Sequence, residues 1–293
     1  MKFDIVMVGH ISQDVLIDHL SHRQDIVGGA VVYSSFAAAA AGNLVKVITK
    51  LSAEDAHILY DLKHQLVEWK VIPSKKSTSI KNTYFTADKE CREVVLLSQA
   101  DPFVLEEIEG TASIYYLAGL FVGELPDSLI KPLSERGKVA LDAQGVLRSL
   151  DAEGTLIFKD WTRKHELLPF ITFFKTDAAE ANILTGLDDM REAVTLLHEW
   201  GAKEVMLTHN SEVMVYADGN IYTAPYTNRN TSGRTGRGDT TFAAYLAWRK
   251  DHFVQESTRF AAALCSIKME TPGVFRGTLQ DVFERMEEDK KYK

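Results

Sequence analysis

Gly233-Arg234-Thr235-Gly236-Arg237-Gly238-Asp239-Thr240-Thr241-Phe242-Ala243-Ala244-Tyr245 is the stretch from which the fold is read. Three glycines crowd together, a carboxylate follows at once, and a helical run of small and apolar residues comes after it. Glycine opens backbone geometries closed to other residues and lets a ligand approach the main chain. A helix start leaves N–H groups unpaired and carries partial positive charge. Together they form an anion site, most simply for phosphate. Asp239 is out of place there unless it has a task. The task that fits is accepting the proton of a hydroxyl that attacks phosphorus. Two plainer readings are a glycine turn with Asp239 as helix cap, and an adhesion tripeptide at Arg237-Gly238-Asp239. The second needs an exposed loop, whereas here the tripeptide runs into a helix.

Around this stretch lie 293 residues, 45% hydrophobic and 25% charged, ordinary values for a soluble globular chain with a sizeable core. The net charge of −8 argues against nucleic-acid and anionic-membrane partners. A polyanionic ligand must therefore be held locally, against the overall field. Cys91 and Cys265 are far apart and form neither a disulfide framework nor a zinc spacing. No signal peptide is visible at the start, no apolar run reaches membrane length, and a cytoplasmic location is expected.

Upstream, residues 3–10 form an apolar strand that ends in a glycine turn, with Asp14 shortly after. Gly28-Gly29 opens a helix rich in alanine, closed by Gly42-Asn43, and residues 45–50 form the next strand. This is a βαβ unit, the element of a parallel sheet. Between about 71 and 98 the pattern changes to an alternation with period two, broken at Ala87-Asp88-Lys89. A small antiparallel lid fits this stretch; a plain edge hairpin is the alternative. The α/β rhythm then resumes, with strands over 113–119, 139–143, 170–175 and 204–208, helices over 126–136, 190–200 and 259–269, and a hairpin over 212–223. One α/β domain spanning 1–293 is expected, with the β lid inserted near 71–98.

Four segments in this order resemble the PfkB family of carbohydrate kinases, the ribokinase-like kinases. They are residues 9–14, Gly28-Gly29 with its alanine-rich helix, residues 177–180, and Thr235-Gly236-Arg237-Gly238-Asp239. The resemblance covers nearly the whole chain. It implies a ribokinase-like three-layer α/β/α fold with a mostly parallel central sheet and a small β-strand lid. It implies transfer of the ATP γ-phosphate to a hydroxyl of a sugar or sugar-like molecule. Asp239 takes the place of the base, and Gly236, Arg237 and Gly238 form the anion hole. Asp14, Gly28, Gly29 and Tyr33 fall on the substrate side. Asp177, Glu180, Thr208 and Thr235 fall on the nucleotide side, with Glu180 helping to hold Mg²⁺ through water. Parts of the family require a monovalent cation, and the lid implies a homodimer.

The chain departs from the family in four places. Tyr33 stands where an asparagine usually contacts the sugar, and Asp177 stands where the magnesium motif begins with asparagine. Arg237 replaces a small residue, so its guanidinium is a candidate phosphate ligand. The glycines of the nucleotide loop are missing after Leu207, where Thr208-His209-Asn210-Ser211-Glu212 stands, which bears directly on adenine specificity. Asp14 suits a neutral polyhydroxylated ligand, and Tyr33 with Phe85 suits an apolar ring face. The segments 78–84 and Leu141-Asp142-Ala143-Gln144-Gly145 are similar to those of inositol-kinase-like members. A sugar kinase is the first expectation. Myo-inositol or a nucleoside is the alternative substrate, and a non-catalytic sugar or nucleotide sensor the alternative class. The histidines and tryptophans carry no metal or stacking pattern and are assigned to surface or core. Lys268 and Glu270 either flank the nucleotide pocket or simply end a helix.

Overall fold

The computed structural model describes residues 2–86 and 92–290. The expected break at Ala87-Asp88-Lys89 and Cys91 lie outside the described residues. The strands in chain order begin with β1 (Lys2–Val8), β2 (Ser12–Ile17), β3 (Arg23–Gly28), β4 (Val45–Leu51) and β5 (Val67–Pro73). Next come β6 (Thr78–Tyr84), β7 (Arg92–Ser98), β8 (Thr111–Leu117), β9 (Lys138–Asp142), β10 (Arg148–Leu150) and β11 (Leu156–Phe158). The series ends with β12 (Phe173–Asp177), β13 (Glu204–Thr208), β14 (Glu212–Ala217) and β15 (Asn220–Pro225).

Nine of them form the central sheet, in the order β15-β14-β13-β12-β9-β8-β1-β4-β5. From β13 to β5 all pairs are parallel, and only the β13–β14–β15 edge is antiparallel. The parallel strands are buried on both faces, which explains why Ile5, Val6, Met7 and Val8 run without polar interruption. From β1 the chain winds outward to β4 and β5 on one side, then returns to β8, β9, β12 and β13 on the other. Such a reversal leaves a crevice at the carboxyl ends of the strands.

Helix Ala30–Ala40 packs against helix Arg237–Arg249 and against β4. Its alanines allow the close approach, and Asn43 Nδ2 donates to the carbonyl of Ala247 across the contact. The expected left-handed end is present: Gly42 has φ +84°, Gly42 N–H donates to Ala39 O and Asn43 N–H to Ala38 O.

The lid is larger than the expected stretch 71–98. It is a four-stranded sheet in the order β3-β2-β6-β7, and half of it comes from residues 12–28. It is also mixed rather than wholly antiparallel, since β2 runs parallel to β6. Val67–Pro73 belongs instead to the central sheet, as a parallel neighbour of β4. The alternation that marks β6 is weak in β2 and β3, because most of their residues are half-buried or exposed rather than alternately buried. Beyond β7 the lid edge is covered by Gly154 and Thr155, which leaves β3 as its open edge among the described residues. Among the described residues, no helix is long and apolar enough to cross a membrane.

Candidate active site

Gly236 adopts φ +78° and starts helix Arg237–Arg249, as the glycine-rich turn predicts. A Cβ on it would lie 2.3 Å from Cγ of Tyr33, so the turn rests directly on the tyrosine ring. Arg237 N–H donates to Arg234 O and Thr240 N–H to Gly236 O. The N–H groups of Gly238 and Asp239 lie between those bonds, at the positively polarised helix start. Ser34 Oγ donates to the carbonyl of Asp239 and ties this turn to helix Ala30–Ala40. The side chain of Asp239 enters a cleft of about 340 Å³ at the carboxyl ends of the strands.

Asp14, in the middle of β2, lines the same cleft together with Tyr33, Asn82, Tyr84, Ile80, and Val94. These come from the lid and from helix Ala30–Ala40. Gly28 lies behind Asp14: a Cβ there would meet Asp14 Oδ2 at 2.6 Å. Gly29 has φ +103°, and a Cβ there would meet His10 O at 2.4 Å, so only glycine lets the helix begin beside the cleft. Phe85, expected on the ring face, is 58% exposed and does not line the cleft.

The other end of the cleft is built from charge. Lys175, near the end of β12, is buried with Nζ 3.1 Å from both oxygens of Asp142 and 3.9 Å from Glu180 Oε2. A Cβ on Gly238 would sit 3.2 Å from Lys175 Nζ, so the ammonium lies directly beneath the glycine turn. Burial opposes its charge, but Asp142, Glu180, Asp177 and Asp239 outweigh burial and hold it protonated. Burial also raises Asp239 above the usual carboxylate range, against Lys175, Arg148 and Lys268. A carboxylate raised in this way is a stronger base for a hydroxyl proton. Asp177 caps helix Ala178–Thr185 by accepting from Glu180 N–H at 2.8 Å, and Glu180 Oε2 accepts from Asp177 N–H at 2.9 Å.

Glu180 Oε1 is buried, accepts no hydrogen bond, and lies 4.0 Å from Arg148 Nη2. Such an orphaned acceptor fits the water shell of Mg²⁺. Among the described residues, no group of three or more His, Cys, Asp or Glu is arranged to hold a metal ion. Asp177 and Glu180 are thus the residues that would hold Mg²⁺, through its water and the donor phosphates.

Thr208 ends β13, and the chain turns back tightly, with His209 N–H donating to Glu212 O. Asn210 in this turn accepts from Arg234 Nη2 and Arg237 Nη1, each at 3.0 Å. Two guanidiniums are thereby held side by side at the cleft.

Ten of the twelve expected site residues line one cleft: Asp14, Gly29, Tyr33, Asp177, Thr208, Thr235, Gly236, Arg237, Gly238 and Asp239. Gly28 and Glu180 stand behind it. Two cations of the cleft, Lys175 and Arg148, escaped the sequence reading of the site. Lys175 closes an apolar strand just before Asp177, a placement that gives it away in retrospect. Lys268 is 2% exposed, so it does not simply end its helix. Glu270 does lie outside the cleft and pairs with Arg285. Arg148 falls in no motif and left no signal.

Residues 1–280 match the pfkB family carbohydrate kinase profile. A sulfate-bound pyrophosphate-dependent kinase of the ribokinase family is 37% identical, covering 96% of this chain and 99% of that one, with TM-score 0.87. A pyrophosphate-dependent kinase of the same family, complexed with a pyrophosphate analogue and myo-inositol, is 36% identical, covering 99% and 100%, with TM-score 0.86. The cytidine kinase of Thermococcus kodakarensis is 24% identical over 255 residues, 83% of this chain and 87% of that enzyme. With its glycine turn and parallel sheet in the expected places, the chain belongs to the pfkB family of carbohydrate kinases.

Proposed function

We propose that the protein transfers a phosphoryl group from inorganic pyrophosphate to a hydroxyl of a cyclitol, with myo-inositol as the acceptor. One observation carries this reading. The cleft lining contributed by β12, β13 and the turn 234–239 is Lys175, Asp177, Thr208, Arg234, Thr235, Gly236, Arg237, Gly238 and Asp239. It contains three cations and no apolar or aromatic side chain on which a purine would rest. Arg148 adds a fourth cation to the cleft. The missing loop glycines are consistent with this, and so are the relatives that use pyrophosphate.

In this reading the acceptor hydroxyl is aligned by Asp14 and gives its proton to Asp239 while its oxygen bonds to phosphorus. The bond to the second phosphate breaks, and orthophosphate leaves against Arg234 and Arg237. The N–H groups of Gly238 and Asp239 and the Lys175 ammonium neutralise the charge that develops on the transferred group. Mg²⁺, when bound, supplies further neutralisation of the donor phosphates. Tyr33 gives the acceptor an apolar face in place of the hydrogen bond an asparagine would make.

ATP, the donor implied by the family resemblance, is the second reading, because the turn 236–239 serves either donor. A nucleoside acceptor is the corresponding alternative on the lid side, as in the cytidine kinase. For the lid contact between two copies we infer pairing along β3, its open edge. The functional test is phosphate or ADP release with Mg²⁺, each donor in turn, and ribose, fructose, myo-inositol, adenosine or cytidine. Turnover of pyrophosphate with myo-inositol is expected. Turnover with ATP alone, or with a nucleoside alone, overturns the corresponding half of the proposal.

A further inference from the structure

Lys268 lies in the last turn of helix Val254–Met269, where lysines usually reach water. Here the side chain is buried beneath the anion-binding turn. Its Nζ donates to the carbonyl of Gly233 at 2.5 Å and to that of Thr235. It also sits 4.9 Å from the centroid of the Tyr33 ring, the ring on which Gly236 rests. Among the described residues it forms no ion pair with a carboxylate.

An unpaired buried ammonium is costly, and burial lowers its pKa to about 8 against the opposing pull of Cys265 and Asp239. Such a charge persists where its neighbours need it. Its surroundings are two backbone carbonyls and a ring face, the ligand chemistry that suits a bare monovalent cation. A free one does not fit on these two carbonyls, because the ammonium already takes both.

We propose that Lys268 is a tethered monovalent cation: it holds the carbonyls of Gly233 and Thr235, fixes the turn that presents the N–H groups of Gly238 and Asp239, and makes the transfer independent of potassium. It acts as a positioning residue, since it reaches the phosphate only through the turn. This inference rests on the kinase reading above.

The test compares wild type, Lys268→Ala and Lys268→Met in choline, sodium, potassium and ammonium chloride at equal ionic strength. Wild type is expected to turn over equally in all four. In choline, Lys268→Ala is expected to lose about 100-fold in kcat, the scale of a disturbed oxyanion site, with the acceptor KM little changed. Potassium or ammonium restores it at least about tenfold, the lower part of that range. Lys268→Met fills the space without charge and stays inactive in every salt. A second readout needs no turnover: potassium raises the melting temperature of Lys268→Ala but not of wild type. This arm decides the role of Lys268 even if neither donor reacts, so a wrong donor and a wrong role are separately visible. Potassium stimulation of wild type overturns the proposal whether or not the variants fold. So does a folded Lys268→Ala that no small cation rescues or stabilises, or one as active as wild type.

Discussion

The two ends of the cleft are made of different chemistry. The lid end offers one carboxylate, Asp14, among neutral and apolar groups such as Asn82, Tyr84 and Val94. The end at β12 and β13 offers Lys175, Arg234 and Arg237 around Asp177 and Thr208. The first environment suits a neutral polyol with many hydroxyls. The second suits a compact polyanion, and it lies in a chain of net charge −8. Asp239 stands between them, half-buried, at the start of helix Arg237–Arg249. The division places two kinds of chemistry on separate elements, the lid and helix Ala30–Ala40 at one end and β12, β13 and the turn 234–239 at the other.

Substitutions at the meeting point and at each end probe this division. Asp239→Asn serves both ends, so its effect is the largest. We expect about a 1,000-fold fall in kcat, within the range of general-base removal, with donor and acceptor binding retained in calorimetry. A loss of binding equal to the loss of rate would instead make Asp239 a ligand of one end. Next come the substitutions that separate the ends. Arg237→Ala removes a charged hydrogen-bond donor and should raise the donor KM by about 10- to 100-fold, leaving the acceptor KM unchanged. Asp14→Asn should do the reverse by about tenfold, the value of one hydrogen bond to a charge. If either variant moves both KM values together, the two ends are not independent.

The smallest effect is on stability. Burial, opposed by Lys175, raises Glu180 from the ordinary 4.5 to about 7. The folded protein therefore keeps a proton that the unfolded chain releases. The corresponding stability is present below pH about 4.5 and is lost as pH rises to about 7. Denaturant melts at pH 5, 6 and 7 should show a decline that is shallower in Glu180→Gln. An unchanged slope would assign the decline to Asp142 and Asp239, which burial also raises.

Much of this was legible in the sequence, for a definite reason. Gly236, Gly29 and Asp239 work through the backbone or through position in a motif, and those leave short local signatures. The parallel strands announce themselves as unbroken apolar runs. The strands of residues 12–28 were missed because half-exposed strands lack clean alternation. Lys175 and Arg148 were missed, and Lys268 was left between two readings, because their surroundings come from burial and from partners far along the chain. Asp142 lies 33 residues from Lys175, and Gly233 lies 35 from Lys268. No local pattern records such a pairing. The doubt about adenine was visible as missing glycines, but only the pairing of Arg234 and Arg237 through Asn210 shows what stands there instead.

The most direct measurement is calorimetric binding, with Mg²⁺, of methylenediphosphonate and of a non-hydrolysable ATP analogue to the wild-type protein. The bare diphosphonate is expected to bind at least about tenfold more tightly, a difference of about 1.4 kcal/mol. Tighter binding of the nucleotide analogue, or no binding of the diphosphonate, would contradict this expectation.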